Sequence, residues 1–120
     1  MLTGKRILIV EDEPLIALDL ETAVADHHGT VVGPVSTLEE GQRIAAAETF
    51  DGAILDLRLQ EGLALSIAEC LLARGIPFVI YSGQADVTAP RAWPTVPIIS
   101  KPALPEKVIS MLATLIRRMA

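Results

Sequence analysis

Apolar residues along the chain alternate between two patterns. The runs at Arg6–Val10 (RILIV), Gly52–Leu55 (GAIL), 78–81 (FVIY) and 96–99 (VPII) are short and nearly uninterrupted. Runs of that kind predict strands buried on both faces. After the first, Pro14 opens a stretch with Ile16, Leu20, Ala23 and Val24 at helical spacing, ending near Gly29 before a weaker strand at 30–32. Ser36 and Glu39 suggest a capping box ahead of Leu38, Gly41, Ile44 and Ala45. Leu63, Ile67, Cys70 and Leu71 make the next helical stripe, stopped by Gly75. Pro105 takes a first helical position before Val108, Ile109, Leu112, Leu115 and Ile116 on one face. In the stretch 84–94, Pro90 and Pro94 hold any helix to about two turns, and Trp93 reads as a packing residue.

Strands alternating with amphipathic helices imply right-handed crossovers and a doubly wound α/β fold, with five parallel strands and four or five helices on both faces. A chain of 120 residues is one domain's worth, so 1–120 is expected to be a single unit with no output domain appended. The aromatic share of 3% makes the expected core aliphatic. A net charge of -5 argues against nucleic acid as a partner, because phosphate binding needs clustered Lys and Arg. No apolar run approaches the ~20 residues that span a bilayer, so no membrane role and a cytoplasmic location are expected. Cys70 is the lone cysteine and reads as a small buried residue. His27 and His28 fall near the end of the first helix, far in sequence from any acid cluster.

In an open parallel sheet, ligands bind beyond the carboxyl ends of the strands. The residues just past the apolar runs are Glu11 and Asp12, Asp56, Ser82 and Lys101. Taken singly, each has an ordinary structural use: helix N-terminal acids, a loop cap, a turn former, a solvated charge. Together they are more informative. Three carboxylates at one edge repel each other, and a divalent cation relieves that repulsion. Oxygen-only ligands suit Mg²⁺ rather than zinc, which would want His or Cys. Lys101 and Ser82 make a phosphate clamp, leaving Asp56 free as a carboxylate nucleophile.

The acid pair in IVEDE, the Asp in ILDLRL, the hydroxyl in YSG and the lysine in SKP resemble the signature of response-regulator receiver domains in two-component systems, across essentially the whole chain. The resemblance implies a flavodoxin-like sheet in the order 2-1-3-4-5. It implies Asp56 as phosphoacceptor and Glu11, Asp12, Asp56 and the Arg58 backbone carbonyl as the Mg²⁺ site. It also implies a cis Lys101–Pro102 bond that aims the ammonium inward. The implied partners are a sensor histidine kinase or phosphotransfer protein and a further downstream protein. The implied role is a phosphoacceptor regulator rather than an enzyme, with weak self-phosphotransfer and autodephosphorylation, monomeric or weakly dimeric.

Two features depart from the usual pattern. Ile98 stands where most receivers carry Tyr or Phe, three positions before Lys101, and the loop after Asp56 is short, with Gln60 in place of a usual Pro. With PFVIYSG in the fourth strand, these features resemble the atypical subgroup nicknamed FATGUY. Tyr81 beside Ser82 then becomes a candidate for part of the switching role, against a plain core role. Arg58 and Gln84 flank the site and are candidates for tuning the lifetime of the phosphoryl group. The competing readings are an interaction module that works without phosphorylation, and an enzyme or flavin binder on the same fold. Against the last, Arg58 stands where an aspartate-dependent phosphatase would place a second Asp.

Overall fold

The structure is a computed structural model that describes residues 1–59, 62–83 and 96–119. Its elements run β1 (Arg6–Val10), α1 (Pro14–Asp26), β2 (Thr30–Val35), α2 (Leu38–Ala47), β3 (Gly52–Leu55), α3 (Leu65–Ala73), β4 (Phe78–Ser82), β5 (Ile98–Ser100) and α4 (Pro105–Met119). All neighbouring strands of this sheet pair in parallel. Their order, β2-β1-β3-β4-β5, is the 2-1-3-4-5 order that the resemblance implies.

Register decides where the strands end. Val10 pairs with Leu55, Leu55 with Ile80, and Ser82 with Ser100. The residues just past β1, β3 and β5, and the last residue of β4, therefore share one edge. Side-chain alternation along each strand feeds two aliphatic cores. Leu8, Val10, Leu55 and Ile80 pack with Ile67 and Leu71 of α3 on one face. Ile7, Ile9, Ile54, Val79 and Tyr81 pack with Leu20 and Val24 of α1 and with Ile109 and Leu112 of α4 on the other. At about 1.5–3 kcal/mol for each fully buried large side chain, these two layers hold the strand ends in place.

Several local expectations are corrected. Helix α1 stops at Asp26 rather than near Gly29, because His28 turns left-handed (φ 69) and the Gly29 amide closes back on the Val24 carbonyl. Strand β2 continues to Val35, since the Val35 carbonyl accepts from the Glu11 amide and Val10 pairs with Val35 beyond an irregularity. Helix α2 is capped by Thr37, whose Oγ1 accepts from the Glu40 amide, and not by a Ser36–Glu39 box. Helix α3 begins at Leu65, because Gly62–Leu63 pairs antiparallel with Arg58–Leu59 in a small ladder after Asp56 that the apolar pattern did not signal. Cys70 is only half-buried, at the margin of the core on the α3 face. Strand β5 is 98–100 rather than 96–99. It lies at the sheet edge, and Ile98 is 41% exposed, so that strand is not buried on both faces. Among the described residues there are four helices, none long and apolar enough to cross a membrane. Gln60, Gln84, Trp93 and the expected short helix within 84–94 lie outside the described residues.

Candidate functional site

The five residues read from the strand ends converge at the carboxyl edge of the sheet. Glu11 leaves β1 with its amide tied to the Val35 carbonyl, and Asp56 leaves β3 with its amide tied to the Val10 carbonyl. These backbone bonds fix the start of both side chains. Glu11, Asp56 and Ser82 are buried charged or polar residues in a core that is otherwise apolar. Burial of that kind is costly unless partners are supplied.

Most of the partners are present. The Lys101 ammonium lies 2.9 Å from Glu11 Oε1 and 3.0 Å from Asp56 Oδ2. The other Asp56 oxygen, Oδ1, accepts from the Arg58 amide at 3.0 Å, and Glu11 Oε2 accepts from the Glu13 amide at 3.2 Å. Both carboxylates are thus oriented by one backbone amide and one shared ammonium. Glu11 Oε1 and Ser82 Oγ are both buried without a hydrogen-bond partner among the described residues, but Glu11 Oε1 has its ion pair with Lys101, whereas Ser82 Oγ has no such compensation. Ser82 lines the same cleft of about 480 Å³ as Asp12, Glu13, Asp56, Arg58, Leu59, Gly83 and Lys101. Glu13, Leu59 and Gly83 are lining residues that strand-end reasoning missed; Glu13 was legible as the third acid of IVEDE.

Electrostatics at the edge are strained. Burial, reinforced by the Asp56 charge, pushes the Glu11 carboxyl up to about 7, against the opposing pull of the Lys101 ammonium and the Glu13 amide. Burial would lower the Lys101 ammonium, but its close contacts with the Glu11 and Asp56 carboxylates outweigh that and raise it. One oxygen from each of Glu11, Asp12 and Asp56 lies within 4.8 Å of the others. Three carboxylates facing one ammonium leave a net negative, oxygen-only donor set, and such a set fits a hard divalent cation such as Mg²⁺. The Lys101–Pro102 bond is cis, in line with the resemblance.

No family model matches the chain. A solved structure of SdrG from Sphingomonas melonis Fr1 is 35% identical, with a TM-score of 0.80 over 97% of this chain and 97% of that one. The phyllosphere-induced regulator PhyR of Methylorubrum extorquens is 32% identical over 112 residues, which make up 89% of this chain and 42% of PhyR. The chain thus spans less than half the length of that curated relative. A CheY-like receiver domain protein from Methanospirillum hungatei JF-1 superposes with a TM-score of 0.84 at 21% identity, covering 96% of this chain and 95% of that one. The receiver domain of the sensor histidine kinase PA1611 from Pseudomonas aeruginosa PAO1, which has a magnesium ion coordinated in its active site cleft, superposes with a TM-score of 0.80 at 21% identity, covering 96% and 99%. At 21% identity these last two likenesses speak to the fold alone.

Proposed function

The chain belongs to the receiver family of two-component response regulators, and on that premise we propose that it accepts a phosphoryl group from a histidine kinase or phosphotransfer protein on Asp56. The observation that carries this reading is the buried Asp56 carboxylate, held at 3.0 Å by Lys101 in a cleft that also presents the partnerless Ser82 hydroxyl.

An Asp56 carboxylate oxygen attacks the phosphorus of a donor phosphohistidine. The new P–O bond forms as the P–N bond breaks, and the imidazole, protonated on its other nitrogen, leaves neutral with the electron pair. The arriving phosphoryl group competes for the Lys101 ammonium, which exchanges its bond to Asp56 for one to a phosphoryl oxygen. Ser82 then gains the acceptor it lacks by donating to a second phosphoryl oxygen. Glu11, Asp12, Asp56 and the Arg58 carbonyl would hold Mg²⁺, whose chemistry is to offset the charge of acids and phosphoryl group together.

Output is proposed to run by protein contact or phosphate shuttling, since a net charge of -5 suits neither nucleic acid nor an anionic surface. Membership of the FATGUY-like subgroup is part of the same proposal. The test is chelation. Incubated with a small-molecule phosphodonor, the chain should form an acid-stable, base-labile adduct in Mg²⁺ and none in excess chelator. Failure to form that adduct with small donors and with kinases in Mg²⁺ would overturn the reading.

A further inference from the structure

Tyr81 and Ser82 are consecutive in β4, yet between them they hold both flanks of Lys101. On one side the Ser82 carbonyl accepts from the Lys101 amide at 3.1 Å. On the other, the Tyr81 hydroxyl donates to the Ala103 carbonyl at 3.0 Å and accepts from the Ala103 amide at 3.1 Å. The Tyr81 ring lies under the lysine, its centroid 5.7 Å from Nζ. Tyr81 is only 5% exposed and sits in the core that α1 and α4 share. A buried phenol needs a hydrogen-bond partner. This one uses both its donor and its acceptor on a single residue of the loop between β5 and α4, two positions after Lys101.

We propose that Tyr81 is the positioning residue for Lys101: its hydroxyl, hydrogen-bonded twice to Ala103, fixes the loop, and the loop fixes the ammonium midway between Glu11 and Asp56. The inference rests on the reading of Asp56 as phosphoacceptor. Its physical basis is the length of the lysine side chain, whose many rotamers reach one point reproducibly only when the backbone on both flanks is held. The Ser82 carbonyl alone leaves the Ala103 side free to turn. The ring face adds a weak attraction for the ammonium from below. Ile98, exposed at the sheet edge, makes none of these contacts, so the strand-four tyrosine rather than the residue at the usual aromatic position connects site and loop.

The test is a double-mutant cycle on phosphorylation by a small-molecule donor at saturating Mg²⁺, with Mg²⁺ affinity measured separately. Tyr81→Phe keeps the ring and removes both hydrogen bonds. It should slow phosphorylation about ten-fold, as loss of positioning does, while the Mg²⁺ dissociation constant stays unchanged. In a Lys101→Ala background the same substitution should cost nothing further. An unchanged rate in Tyr81→Phe, a parallel loss of Mg²⁺ affinity, or a ten-fold loss that persists without Lys101 overturns the inference. Should Lys101→Ala not fold, the comparison of rate with Mg²⁺ affinity in Tyr81→Phe alone decides it. Wild type that takes no phosphoryl group overturns the phosphoacceptor reading instead.

Discussion

The Lys101 ammonium and an Asp56 carboxylate oxygen lie 3.0 Å apart, and the same ammonium is 2.9 Å from Glu11. One cation thus serves two buried acids before any phosphoryl group arrives. This offsets only part of the acid charge at rest, and it makes removal of Lys101 informative in two ways.

Lys101→Ala leaves two buried carboxylates without their shared partner, a change that costs roughly 3–5 kcal/mol when nothing replaces it. Mg²⁺ replaces the lost charge. The expected result is a variant whose melting temperature falls in chelator and recovers in Mg²⁺ by more than wild type does. Its phosphorylation should be slower by about 10²-fold, because a charge aimed at the developing transition state is gone. Melting curves with and without Mg²⁺ check the first part, and single-turnover labelling the second.

Glu11 sets the pH dependence. Its carboxyl is raised in the folded chain from the ordinary 4.5 to about 7. Between those values the folded state holds a proton that the unfolded state has released, so stability falls as pH rises through the window and the full penalty stands above it. Below the window both states are protonated and the effect vanishes. The penalty is on the order of 3 kcal/mol. Denaturant unfolding across this range should show the decline, and Glu11→Gln should flatten it. Mg²⁺ affinity should move the opposite way, weakening as pH drops below about 7 and the proton competes.

Ser82 gives a contrasting case. Because its buried Oγ has no partner among the described residues, Ser82→Ala removes an unsatisfied hydroxyl and should leave stability within about 0.5 kcal/mol of wild type or slightly above it. The loss should appear only after phosphorylation, as a smaller spectral difference between the free and phosphorylated forms. A destabilised Ser82→Ala would mean that the hydroxyl has a partner at rest.

Much of this site was legible before the fold was known, for a physical reason. Short aliphatic runs such as ILIV and GAIL can be satisfied only by strands covered on both faces, and parallel strands deliver the residues at their carboxyl ends to one edge. Glu11, Asp12, Asp56, Ser82 and Lys101 were therefore readable from position alone. The features that escaped are decided by backbone hydrogen bonds rather than by hydrophobic period. The cap of α2 falls on Thr37 rather than Ser36 because its extended backbone presents Oγ1 to the Glu40 amide. The ladder of Arg58–Leu59 with Gly62–Leu63 is too short to leave an apolar signature. The pair of hydrogen bonds between Tyr81 and Ala103 joins residues 22 positions apart and could be seen only once β4 and the loop after β5 were side by side.

The proposed function turns on which atom takes the phosphoryl group. Peptide mass mapping of the chain after reaction with a phosphodonor in Mg²⁺ decides it. One base-labile phosphoryl group is expected, on the peptide that contains Asp56, with its loss in Asp56→Asn. A phosphoryl group of the same yield on the Asp56→Asn chain, or one mapped to Ser82 or to a histidine, would be incompatible with Asp56 as the acceptor.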